Sequence, residues 1–124
     1  MTTSSRFGVL GAALAFLGVA AGAFGAHALR ESLTPDRLQI FETAARYQLI
    51  HGVALVAVAL AWERAPSRAL AAAGWLFAAG IAIFSGSLYA LALSGVRVWG
   101  AVTPLGGLCF LAAWAALAAA FLRR

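Results

Sequence analysis

Eight polar residues in or at the ends of the apolar runs are the ones that could do chemistry: His27, Arg46, Tyr47, His51, Ser85, Ser87, Tyr89 and Thr103. Imidazoles can pass protons or ligate metals, a guanidinium can hold an anion, and hydroxyls can donate or accept hydrogen bonds. Tyr47 and His51 stand at i,i+4, as do Ser85 and Tyr89, so on helices each pair shares a face. A bland reading competes at each position. Ser and Thr satisfy themselves on the i−4 carbonyl, Tyr89 suits a membrane interface, and His27 suits the carbonyl end of a helix. Arg46 and His51 lie further into an apolar stretch, where that reading explains less.

The same residues exclude several chemistries. The spans contain no paired carboxylates for acid–base work, no strand followed by a glycine-rich loop, and no Cys/His cluster with zinc spacing. No catalytic, cofactor-binding or metal-ligating residue is therefore assigned. Two histidines on neighbouring helices allow one alternative, a bis-His cofactor or metal site in a bundle core. Cys109 is the only cysteine, so no intrachain disulfide exists, and its apolar setting reads as packing.

The elements that must position these residues are membrane spans. Apolar residues make up 64% of the 124-residue chain, against about half in a soluble domain. The formal charge is +5, carried by nine arginines against four acids, and most of it sits in short tracts between apolar runs. That placement suits loops that meet lipid head groups and does not call for nucleic acid. The apolar runs predict an all-α four-helix membrane bundle in one domain, residues 1–124, with spans at about 7–29, 43–62, 69–93 and 98–122. The first run, ending in small residues, resembles a secretory signal but exceeds the usual apolar region of about 7–15 residues, so it is expected to stay as a span. Thr34-Pro35-Asp36 is a helix start, with a hydroxyl at the N-cap, proline at N1 and an acid in the first turn. A short amphipathic helix should begin there, pair Glu42 with Arg46, and run into the second span.

Helices in lipid have little hydrophobic drive to associate, so small residues should line the contacts. Gly8, Gly11, Ala15, Gly18, Gly22 and Gly25 alternate by three and four residues and predict a helix-packing seam on the first span. Glycine costs about 1 kcal/mol in a helix interior, so this line is unlike a chance pattern. In the third span Gly74, Ala78, Ala82, Gly86 and Ala90 step by four and suggest a second ridge. Thr103-Pro104 followed by Gly106-Gly107 reads as either a kink in the fourth helix or a late start.

Four spans put both termini on one side, with Arg6, Arg64, Arg68, Arg123 and Arg124, against Arg30, Arg37 and Arg97 opposite. The positive-inside bias then favours cytoplasmic termini in a multi-pass protein of the cell inner membrane. The same topology predicts that all eight polar residues occupy the half of the bilayer away from the termini, as one candidate polar pocket.

Four blocks, Gly22-Ala23-Phe24-Gly25-Ala26-His27, Arg46-Tyr47-Gln48 with His51, Phe84-Ser85-Gly86-Ser87-Leu88-Tyr89, and Thr103-Pro104-Leu105-Gly106-Gly107, fall one per span. In this order they resemble the signature blocks of domain of unknown function family 423, whose animal relatives are called transmembrane protein 256. The resemblance covers residues 8–121 and implies a small bacterial four-helix membrane protein with no assigned activity. The expectation is a non-enzymatic binding or accessory component. Its partner is the lipid bilayer, a homo-oligomer is allowed, and a small-molecule ligand is unspecified. A transporter or channel subunit for a small solute, metal or proton is the main alternative.

Overall fold

A computed structural model describes residues 1–123, which form four helices long and apolar enough to cross a membrane: α1 (Thr3–Ala28), α2 (Pro35–Arg64), α3 (Arg68–Ser94) and α4 (Val98–Leu122). Three of the four starts have a side-chain cap. The Thr2 hydroxyl accepts from the Ser5 amide, Thr34 from Arg37, and Ser67 from Leu70, filling donors that a first turn leaves open. With Pro35 at N1 and Asp36 in the first turn, α2 runs without a break from the amphipathic lead-in to Arg64. The end of α3 is set by Gly95, whose φ of 72° is the left-handed cap conformation that side chains disfavour.

Two polar ties close the ends of the bundle. Arg37, in the first turn of α2, donates from Nε to the Ala92 carbonyl at 2.7 Å and from Nη2 to the Leu93 carbonyl at 2.8 Å. Its charge thus meets the negative pole of α3 and fills carbonyls that the helix end leaves without partners. On the opposite face Ser4 of α1 donates to the Glu63 carboxylate of α2.

α2 is the central helix. Within its most apolar stretch 56% of residues are buried, against 17% for α1, so α1 is a peripheral helix with most of its surface toward lipid. α1 packs along α2, α3 packs along α4, and α2 also contacts α3. Toward the termini the core is built from Phe7, Leu55, Val58, Leu70, Phe77, Phe110 and Leu117. A smaller cluster at the other end joins Ala26, Phe41 and Ala92, with Tyr89 packed against it.

Glycines set the approach of the helices. A Cβ on Gly11 would lie 2.6 Å from the Gly52 carbonyl oxygen, and one on Gly52 would lie 2.9 Å from the Ala15 nitrogen, so α1 and α2 cross backbone to backbone there. Further along, a Cβ on Gly18 would meet the Leu49 nitrogen at 3.1 Å, and one on Gly25 the Phe41 ring at 3.1 Å. Gly8 and Gly22 leave ordinary contact distances of 3.6 Å to Ala59 and Ala45.

The step-of-four ridge expected on α3 does not form. Gly74 receives the ring of Phe7, but Ala82 and Gly86 are exposed, and nothing lies within 4 Å of a Cβ on Gly86. A line of four-residue steps drifts by about 40° per step around a helix of 3.6 residues per turn. The π-helical turn at Ile81–Ser85 rotates the faces further. The socket that matters is Gly80, where a Cβ would lie 2.4 Å from the Phe110 ring.

Candidate functional site

Gln48 is the hub of the polar residues between helices. From the middle of α2 its Nε2 donates to the Leu14 carbonyl of α1 at 2.9 Å, and its Oε1 accepts from the Tyr89 hydroxyl of α3 at 2.7 Å. One amide thus joins three helices. One turn away, Ser85 donates to the Ala44 carbonyl at 2.8 Å across α3 and α2. Ser87 and Thr103 share a 2.6 Å hydrogen bond between α3 and α4, and the Thr103 hydroxyl also bonds its own i−4 carbonyl at Trp99.

His51 joins α2 to α4. Trp114 Nε1 donates to His51 Nε2 at 3.1 Å, and an indole N–H can only donate, so Nε2 must be unprotonated. The proton then sits on Nδ1, 2.7 Å from the Tyr47 carbonyl oxygen that accepts it. The ring is neutral, buried, and stacked on Phe110 with centroids 3.6 Å apart and planes 8° from parallel. Among the described residues no buried side-chain nitrogen or oxygen is left without a partner.

The eight candidates therefore separate rather than converge on one polar pocket. Ser85, Ser87, Tyr89 and Thr103 are used in bonds between helices, His51 ties α2 to α4, and His27, Arg46 and Tyr47 are exposed. His51 stands sixteen residues, about 24 Å, from the start of α2 and thirteen, about 20 Å, from its end, near the middle of that helix. The bis-His alternative gains no support, because both ring nitrogens of His51 are engaged while His27 sits exposed on the last turn of α1.

Two of the surface clefts border candidate residues. The larger, about 700 Å3, lies between α2, α3 and α4 and is walled by Tyr47, His51, Phe84, Pro104, Phe110 and Trp114, with Gly107 also lining it. Tyr47 lies 4.6 Å from Phe84 by ring centroids, so the aromatic wall is continuous. Pro104 is inside α4, which begins at Val98, so the late-start reading is wrong. Proline there gives up one bond, to the Gly100 carbonyl four residues back, and the helix continues past it to Leu122. The smaller cleft, about 410 Å3, lies between α1 and α2 over Gly18, Gly22 and Ala45, with Glu42 and Arg46 on its wall.

Sequence reasoning passed over Gln48, Trp114, Arg37 and Gly52. Two of them carried a readable signal. Gln48 bears a side-chain amide well inside the second apolar run, and Trp114 lies about 12 Å from the nearer end of α4, where an indole N–H needs a partner. Arg37 and Gly52 gain their roles only from the neighbour that folding brings to them.

Comparison with known proteins gives the same architecture. The family described as a protein of unknown function (DUF423) matches residues 21–107. A UPF0382 membrane protein of Staphylococcus epidermidis is 44% identical over 117 residues, covering 94% of this chain and 95% of the relative. The UPF0382 membrane protein YwdK of Bacillus subtilis is 43% identical over 109 residues, covering 87% and 89%. The UPF0382 inner membrane protein YgdD of Escherichia coli K12 is 42% identical over 113 residues, covering 90% and 86%. No solved structure matches. The family match takes in the Gln48 hub, the His51–Trp114 tie from its α2 side, and the π turns of both α1 and α3; the chain belongs to the DUF423 family of multi-span membrane proteins.

Proposed function

We propose that this protein is a non-enzymatic binding component of the bacterial inner membrane, and that its site is the aromatic cleft between α2, α3 and α4. The carrying observation is the contrast between a polar interior that satisfies itself and a cleft of about 700 Å3 with an apolar, aromatic wall. Such a wall suits a flat or chain-like apolar molecule taken laterally from the bilayer. The transporter alternative loses its main support, because His51, Ser85 and Thr103 hold helices together instead of lining a route. Both termini face the cytoplasm in this reading, following the arginine bias.

Gly107 offers the test. It lines the cleft, and nothing lies within 4 Å of a Cβ placed there, so the side chain of Gly107→Trp starts in open space and occupies the cleft. Native mass spectrometry of protein released gently from membranes should find an apolar molecule on the wild type and lose it in Gly107→Trp. Wild-type protein carrying only bulk phospholipid, or retention unchanged by the substitution, defeats the proposal. A reporter fused at Ser94 should read as non-cytoplasmic, and a cytoplasmic signal there reverses the orientation.

A further inference from the structure

A second cleft carries a different ligand chemistry. Glu42 and Arg46 stand one turn apart on α2, and both are exposed on the wall of the cleft between α1 and α2. The cleft floor is apolar and smooth because Gly18 and Gly22 of α1 lie under it. Arg37 marks the rim of the bundle, where it binds the end of α3. Counting down α2 from there, Glu42 is about 8 Å and Arg46 about 14 Å deeper, a range that runs from the head-group layer into the upper hydrocarbon. A guanidinium at that depth is costly without a partner, and Arg46 takes no part in the bonds that occupy Gln48, Ser85 and Tyr89.

We infer that this cleft binds one zwitterionic phospholipid with a primary ammonium head group, of the phosphatidylethanolamine class. The Arg46 guanidinium donates to the phosphodiester oxygens, and the ammonium donates to the Glu42 carboxylate. The two charges of the cleft match the two charges of the head group in sign and order along the helix. An anionic lipid would gain Arg46 but meet Glu42 without a positive group to offer it. Phosphatidylcholine would place a quaternary ammonium with no N–H against the carboxylate. The acyl chain has a path as well, since an adjoining surface hollow over Ala12, Ala15 and Phe16 of α1 shares Val19 with the cleft. The π-helical turn Ala21–Gly25 borders the head of the site and is the kind of backbone irregularity that frequently accompanies function.

Full-length protein, delipidated and titrated with phosphatidylethanolamine, phosphatidylcholine and phosphatidylglycerol of identical acyl chains, tests this by native mass spectrometry. Wild-type protein should retain one phosphatidylethanolamine roughly fivefold over either competitor. Glu42→Gln should erase the preference over phosphatidylcholine and move the preference toward phosphatidylglycerol. Arg46→Gln should lower retention of all three, and Arg46→Lys should restore part of it, which separates charge from misfolding. Trp75→Ala, on a lipid-exposed part of α3, should change nothing. Equal retention of the three lipids, a wild-type preference for phosphatidylglycerol, or a preference indifferent to Glu42→Gln each overturns the assignment. Gly107→Trp should leave this preference intact, so the two clefts fail or stand separately.

Discussion

The α1–α2 and α3–α4 contacts bring helices together in lipid by different means. Between α1 and α2 the backbones themselves meet, at Gly11, Ala15, Gly18 and Gly52, and the Gln48 amide adds a hydrogen bond to the Leu14 carbonyl. Between α3 and α4 there is one such backbone approach, where a Cβ on Gly106 would lie 2.4 Å from the Phe84 nitrogen. Elsewhere along that contact a ring sits in a socket, Phe110 against Gly80, and the Ser87–Thr103 bond lies about two turns away. Backbone contact has no side chain to rearrange, so it tolerates no added volume, whereas a ring can turn or shift by a few tenths of an ångström. The peripheral helix is thus the one held by the less forgiving seam, which suits a helix that buries little else.

The comparison can be broken most sharply at the α1–α2 crossing. Gly11→Leu should cost about 3 kcal/mol or more, since overpacking against backbone cannot relax. The half-buried thiol of Cys109 allows the check, because a thiol-reactive dye reports the melting of the bundle in detergent. A melting temperature within the error of the wild type would remove this crossing from the account. Gly106→Ala should follow at about 2 kcal/mol, and Gly80→Ala should cost clearly less because the Phe110 ring can give. If Gly80→Ala proves the worse of the two, the distinction between backbone and ring contacts is wrong.

Hydrogen bonds sharpen the comparison on a smaller scale. Gln48→Leu removes the amide that joins α1, α2 and α3, and should cost about 1–2 kcal/mol, while Tyr89→Phe should cost about 0.6 kcal/mol, the usual worth of one bond between membrane helices. In a double-mutant cycle the two should be strongly non-additive, because both delete the same Tyr89–Gln48 bond. Additive losses would mean that the bond contributes nothing. Smallest of all is Gly86→Leu, which should leave melting temperature and particle size unchanged, since no atom lies within 4 Å of a Cβ there. A change in size would show instead that Gly86 meets a second copy of the chain. Gly22→Leu should fall between Gly86→Leu and Gly11→Leu, because its only close neighbour is Ala45 Cβ at 3.6 Å.

Much of the fold was legible in the chain. Four apolar runs, the Thr34-Pro35-Asp36 start and the turn at Gly95 depend on local chemistry, and they appear where that chemistry puts them. The grouping of the eight polar residues was not legible. Spacing places Tyr47 and His51 on one helix face, and both line the same cleft with rings stacked at 5.9 Å, but nothing in that spacing names Trp114 of α4 as the partner of His51. Ser85 and Ser87 are two residues apart and serve different neighbours, α2 and α4. Depth arithmetic could assign residues to a bilayer half, but it carries no information on which neighbour each one faces.

The sequence by itself determined that this chain spans a membrane four times, where α2 begins, and which residues are too polar to be left alone in lipid. These follow from hydropathy and capping, which act over a few residues. Only the tertiary structure decided that Ser85, Ser87, Tyr89 and Thr103 are spent on holding helices together, that α2 is the centre and α1 the edge, and that Glu42 and Arg46 share one surface cleft while Tyr47 and His51 share another. Those outcomes depend on the rotation of each helix about its own axis. That rotation is set by where Phe7, Phe110 and the Gly11–Gly52 crossing find room, between residues far apart in the chain.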